Sequence, residues 1–156
     1  MLFGILICVV WVLLDQWSKH WAVGALSHGA SLSVLGRYLR LTYVENDGAA
    51  FGIFAGQKLF FIALSIGAGL FLLFLLWRHR KDTLWFRLAM GMILGGAVGN
   101  FIDRVSCGYV VDFIQVDIIR SIQFPVFNVA DIGVTVGVFF LAILLLRTPD
   151  ERGEKR

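Results

Sequence analysis

Charge is what this chain of 156 residues has least of: 16% of its residues are Asp, Glu, Lys or Arg, against about 25% in an average soluble domain. Hydrophobic residues make up 58%, and mean hydropathy is +0.80. A soluble domain of this length cannot hide so much apolar side chain, because surface falls too slowly relative to volume. An ordinary cytosolic domain and a disordered chain are both excluded. Cysteine is nearly absent as well. Cys8 and Cys107 form no CxxC or Cys/His spacing, so neither a zinc site nor a disulfide framework is indicated, and both read as inert packing residues. Histidine is equally sparse. His20, His28 and His79 have no carboxylate-spaced partner and read as surface residues. HExxH, GxSxG, P-loop and GxGxxG patterns are missing. The net charge of +3 comes with no basic face or nucleic-acid motif, so no nucleic-acid partner is expected.

What is present is a single small domain, residues 1–156, with an apolar exterior: an α-helical membrane protein of four transmembrane helices. Spans are expected at about 1–21, 58–77, 85–104 and 127–146. An outer loop over 22–57, a cytoplasmic loop over 78–87, an outer loop over 105–127 and a cytoplasmic tail over 147–156 connect and end them. No positive region precedes the first apolar run, which argues for a retained span over a cleaved signal peptide. Basic residues concentrate in the 78–87 loop (Arg78, Arg80, Lys81, Arg87) and the tail (Arg147, Arg152, Lys155, Arg156), so both termini should be cytoplasmic. Leu39, Leu41 and Tyr43 alternate with Arg40 and Thr42, which predicts a small extracytoplasmic β-rich loop at the membrane surface. The 105–127 segment is expected to be loop or short helix. Gly91, Gly95 and Gly99 form a small-residue stripe for close helix packing.

A spanning helix needs roughly 20 residues, and only the second segment supplies them without help. The other three reach that length only if polar residues at one end lie inside the membrane. Along a helix, Asp15 stands roughly 21 Å from the cytoplasmic start of the first span, Asn100 about 20 Å and Asp103 about 24 Å beyond Arg87, and Asp131 roughly 22 Å above the end of the fourth. Three helices thus carry carboxylates at one level. Such groups cost at least about 2.5 kcal/mol each in hydrocarbon, so they should face the bundle interior or a wet cavity. Asp15 has a simple explanation in its partner Lys19 four residues on. Asn100 with Asp103, and Asn128 with Asp131, put two Asn-x-x-Asp turns at matching depth.

No serine, cysteine or lysine has the neighbours of a nucleophile, so paired carboxylates remain. Two carboxyls held close cannot both ionise; one keeps its proton as acid while the other acts as base. Asp103, Asp112 and Asp131 are the candidates, and depth alone favours Asp103 with Asp131. A dyad at the outer membrane surface suits hydrolysis of a peptide bond near a lipid.

Five motifs occur in order: Asp15-Gln16-Trp17-Ser18-Lys19, Asn46-Asp47-Gly48-Ala49-Ala50-Phe51-Gly52, Gly95-Gly96-Ala97-Val98-Gly99-Asn100-Phe101-Ile102-Asp103-Arg104, Val111-Asp112-Phe113 and Phe127-Asn128-Val129-Ala130-Asp131. Together they resemble the bacterial lipoprotein signal peptidase family (signal peptidase II) over nearly the whole chain. The resemblance implies a multi-pass aspartyl endopeptidase of the bacterial cytoplasmic (inner) membrane, active near the extracytoplasmic face. It would remove signal peptides from prolipoproteins, cutting just before the diacylglyceryl-modified cysteine. The implied catalytic pair is Asp112 and Asp131, not Asp103, which becomes a partner for Arg104 or a helix-end donor. Asn46, Asn100, Arg104 and Asn128 would line the substrate site, with Asp15 and Lys19 supporting it. Gly48, Ala49, Ala50 and Gly52 would allow close backbone approach, and the two outer segments would cover the substrate. Neither metal nor cofactor is implied; the partners are the prolipoprotein and membrane lipid, and the enzyme is expected to be a monomer. A proton-linked transporter or a non-catalytic scaffold fits less well. The first needs polar groups at several depths, and the second needs no carboxylates on several helices.

Overall fold

The computed structural model describes residues 1–48, 56–117 and 124–147. Within them lie α1 (Leu2–Leu26), β1 (Ser31–Leu35), β2 (Leu39–Asn46), α2 (Lys58–Arg78), α3 (Leu84–Ser106), β3 (Val110–Val116) and α4 (Val129–Arg147). All four helices are long and apolar enough to cross a membrane. The helices run straight through their polar residues: α1 continues past Asp15 and Lys19, and α3 past Asn100 and Asp103.

The central helix is α3, which packs against α1, α2 and α4. Half of its most apolar stretch is buried, against 17% for α1 and α4 and 11% for α2. Glycine makes this possible on two faces. A Cβ at Gly91 would stand 2.5 Å from the Gly4 carbonyl oxygen, one at Gly95 would be 2.7 Å from Trp11 Cβ, and one at Gly99 would collide with the Asp15 carboxylate, so this stripe receives α1. Gly96 faces the other way, where a Cβ would run into the Ala130 carbonyl of α4. Small residues let backbones approach where lipid supplies no hydrophobic drive between helices. Leu76 and Phe61 are the fully buried residues of α2; Leu72 and Leu75 pack against the core beside Leu76, and most of the helix's other side chains are exposed.

The strands form one antiparallel sheet in the order β1-β2-β3. The β1–β2 hairpin follows the alternation in the sequence. β3 is a strand in a segment expected to be loop or short helix; Val110, Val111, Asp112 and Phe113 are all buried, so no in–out alternation marks it. Phe113 packs with Ala22 and Leu26 at the end of α1, with Leu41, Tyr43, Ile114 and Val129 around them. This seats the sheet on the polar ends of the helices. Two expectations fail on the surface. Cys107 is exposed rather than packed, and His79 pairs with Asp82 at 3.0 Å.

Overpacking a tight helix contact costs typically about 1–3 kcal/mol. Gly96→Ala should therefore lower the thermal unfolding temperature in detergent. Gly67→Ala on α2, where a Cβ meets nothing within 4 Å, should leave it unchanged or raise it. Equal effects at both positions would remove the close α3–α4 contact as the explanation.

Candidate active site

The polar turns of α1, α3 and α4 meet around one ammonium group. Lys19 Nζ lies 2.8 Å from Asp15 Oδ2 and 2.9 Å from Asp103 Oδ2, and it donates to Asn100 Oδ1 at 2.8 Å. Lys19, Asp15 and Asp103 are all buried. Asp15 Oδ1 accepts the Ala130 N–H at 2.8 Å, which ties α1 to the first turn of α4. Gln16 Nε2 reaches Asp103 Oδ1 at 2.9 Å and the Gly99 carbonyl at 3.2 Å. Trp11 Nε1 donates to the Val129 carbonyl at 3.0 Å. Gln16 was visible in the first motif without a task, and nothing in the sequence distinguished Trp11 from other apolar-run tryptophans. Asp103 does not pair with Arg104; its partners are Lys19, Gln16 and the Val111 N–H.

From this cluster the hydrogen bonds run outward to a second pair of carboxylates. Asn100 Nδ2 donates to Asp131 Oδ1 at 2.8 Å. Asn128 is the residue before α4. Its Oδ1 accepts the Asp131 N–H at 3.0 Å, while Asp131 Oδ2 accepts the Asn128 N–H at 3.1 Å, a reciprocal cap on the helix start. Asn128 Nδ2 also donates to Asp112 Oδ1 at 2.6 Å and to the Val111 carbonyl at 3.3 Å. Asp112 Oδ2 accepts from Asn46 Nδ2 at 2.8 Å. One asparagine thus bonds to both Asp112 and Asp131, and every oxygen of the two carboxyls faces a neutral amide donor.

Asp112 and Asp131 open onto a cavity of about 520 Å³, walled also by Asn46, Asn100, Arg104 and Gly48. Phe124, Phe127, Ile132 and Val136 give it an apolar side, and Thr135, one turn past Asp131, adds a hydroxyl that no motif had singled out. The Arg104 guanidinium lies 5.1 Å from the Phe61 ring centroid, linking the wall to α2. Among the described residues it makes no ion pair within 4.0 Å. Asn128, expected on the wall, is fully buried and stands behind it. Asp15 and Lys19 lie deeper still. Residues 49–52 and 118–123 lie outside the described residues, and with them Ala49, Ala50 and Gly52 of the expected backbone approach and part of the expected cover.

Burial pushes the Asp112 carboxyl up to about 6; the Asn46 and Asn128 hydrogen bonds pull against that, and the charge of Asp131 adds to it. Among the described residues, no three of His, Cys, Asp and Glu are gathered as a metal-binding group. The arrangement is chemically that of two carboxyls able to share a proton across a pocket, oriented by amides and backed by a buried ion cluster.

Known proteins share this architecture. A family model described as Signal peptidase (SPase) II matches residues 7–147. The lipoprotein signal peptidase of Streptococcus thermophilus (strain CNRZ 1066) is 45% identical over 135 residues, covering 85% of this chain and 84% of that protein. That of Enterococcus faecalis (strain ATCC 700802 / V583) is 39% identical over 150 residues, covering 96% and 90%. A bacterial membrane enzyme solved by the in meso method at 2.3 Å resolution is 36% identical and superposes with a TM-score of 0.82, covering 98% of this chain and 93% of its own. With the family matched across all four helices and both buried carboxylate groups, this chain belongs to the signal peptidase II family.

Proposed function

We propose that this chain removes signal peptides from diacylglyceryl-modified prolipoproteins, cutting the amide bond just before the lipid-modified cysteine, with Asp112 and Asp131 as an aspartyl dyad. Family membership supports the substrate and the reaction. The observation that carries the dyad is that both carboxyls open onto one cavity while their oxygens meet only neutral donors. Among the described residues, neither pairs with a cation within 4.0 Å, whereas Asp15 and Asp103 both pair with Lys19.

In the reaction, Asp131 accepts a proton from water as the water oxygen attacks the scissile carbonyl carbon, and Asp112, whose proton affinity burial raises, donates to the carbonyl oxygen. The tetrahedral species then collapses: the oxygen returns its proton to Asp112, the carbon–nitrogen bond breaks, and the proton held by Asp131 passes to the leaving amine. Asn46 and Asn100 on the wall have amides suited to backbone groups of an extended peptide, and Arg104 offers a fixed cation with five donors. The apolar wall of Phe124, Phe127, Ile132 and Val136 suits a residue that carries lipid. The basic loop 78–87 and the tail support cytoplasmic termini in the bacterial inner membrane, and with them a cavity near the extracytoplasmic face. Every group in the proposed mechanism comes from one chain, consistent with a monomer.

Purified protein should cleave a diacylglyceryl prolipoprotein, and Asp112→Asn and Asp131→Asn should each lower kcat by roughly 10²–10⁴-fold or more with little change in KM. Wild-type turnover by either folded variant would falsify the dyad. Because Asp112 binds its proton with a pKa of about 6, above the ordinary carboxylate range, kcat/KM should fall as pH rises through about 6 and the dyad loses its proton. A descending limb absent from the pH–rate profile would contradict the assignment of Asp112 as the acid. Turnover should survive strong chelation.

A further inference from the structure

Asp103 is absent from the cavity wall, and the dyad mechanism gives it no task. It is nevertheless buried with its acceptor capacity in use. Oδ1 accepts from Gln16 at 2.9 Å; Oδ2 lies 2.9 Å from Lys19 Nζ and accepts the Val111 N–H at 3.1 Å. Val111 immediately precedes Asp112. Its N–H and carbonyl are both taken by side chains, Asp103 of α3 on one and Asn128 on the other. The same Asp103 ends α3 through its main chain, because its carbonyl accepts the N–H groups of Cys107 at 2.8 Å and Gly108 at 3.3 Å. Gly108, at φ +94°, then turns the chain into β3. One residue therefore closes both ends of the turn that delivers Asp112.

Register matters here more than in an ordinary strand. Successive side chains of a strand point to opposite faces, so a slip of one residue would turn Asp112 away from Asp131. On the β2 side, the ladder shifts register between Leu41 and Val44, so the Val44–Asp112, Glu45–Val111 and Asn46–Val110 pairs hold a register separate from that of the Leu39–Leu41 pairs and need their own anchor. We infer that Asp103 is a positioning residue: its carboxylate, balanced and oriented by Lys19, fixes the register of β3 through the Val111 N–H so that Asp112 faces Asp131. The inference rests on the dyad reading of the site.

The test compares cleavage of a diacylglyceryl prolipoprotein by wild type, Asp103→Asn, Asp103→Ala, Val111→Pro and Asp112→Asn, with full pH–rate profiles. Misplacement of a reacting group by about 1 Å can cost about 10²-fold. Asp103→Ala should lower kcat by about that factor, leave KM nearly unchanged and displace the descending limb of the profile. Asp103→Asn keeps an oxygen for the Val111 N–H and should retain kcat within about tenfold of wild type. Val111→Pro removes the donor, at the cost of also fixing the local φ, and leaves the Lys19–Asp103 pair in being; it should lose at least as much kcat as Asp103→Ala, and it carries the test if Asp103→Ala does not fold. Wild-type kcat in Val111→Pro, or a profile lowered uniformly without change of shape in the Asp103 variants, would overturn the inference. Equal loss in Asp103→Asn and Asp103→Ala would overturn it as well. Asp112→Asn separates the two levels: if it cleaves like wild type the dyad reading falls, whereas if it is inactive and the other variants are normal, only the role of Asp103 falls.

Discussion

A lysine ammonium buried inside a membrane protein is tolerable only if its charge is balanced and its donors are used. Lys19 meets that condition with two carboxylates and one amide oxygen, all within 2.9 Å. The demand is geometric as well as electrostatic, because the three partners come from α1 and α3 and must converge on one nitrogen. The carboxylates then have oxygens to spare, and these reach the Ala130 N–H at the start of α4 and the Val111 N–H in β3. The relative heights of three helices and a strand follow from the solvation of one cation. Glycine on α3 complements it, since Asp15 fits against Gly99 only because no side chain is there.

The two carboxylate pairs divide by the kind of neighbour they have. Asp15 and Asp103 hold an ammonium between them and tie it to backbone N–H groups of α4 and β3, which is structural work. Asp112 and Asp131 are held by Asn46, Asn100 and Asn128, whose neutral amides orient a carboxyl without placing a cation beside it. Asn100 and Asn128 form the boundary between the layers. Asn100 accepts from Lys19 on one side and donates to Asp131 on the other; Asn128 grips the start of α4 and Asp112 together. A carboxylate in either position would bring more negative charge to a cluster whose anions already outnumber its cation.

Much of this was legible before any coordinates. Helical rise alone put Asp15, Asn100, Asp103 and Asp131 at one depth, and they do meet there. The β1–β2 hairpin announced itself by alternation. Depth arithmetic failed at Asp112 because that residue does not ride on a spanning helix; it enters from a strand buried on both faces, whose run of Val, Val, Asp and Phe carries no period. For the same reason Asp103 looked like the natural partner of Asp131. Spacing gives the height of a side chain on its helix, but not whether it points into a cavity or onto a backbone N–H of another element. The roles of Gln16 and Trp11 depend on contacts more than eighty residues away in sequence and leave no local trace.

The second helix stands apart. It buries Phe61 near one end and Leu76 near the other, with Leu72 and Leu75 packed beside the latter, and leaves most of its remaining surface exposed. At 1.5 Å per residue, its 21 residues extend about 31 Å, close to the thickness of a typical bilayer core. Its fit is therefore set as much by the lipid as by the protein. A thicker or thinner membrane is met by tilt, by kinking or by local deformation of the bilayer, and a tilt of this helix would be felt at Phe61, whose ring lies against the guanidinium of Arg104. Phe61 and Arg104 are thus the point where the most lipid-exposed helix touches the wall of the cavity.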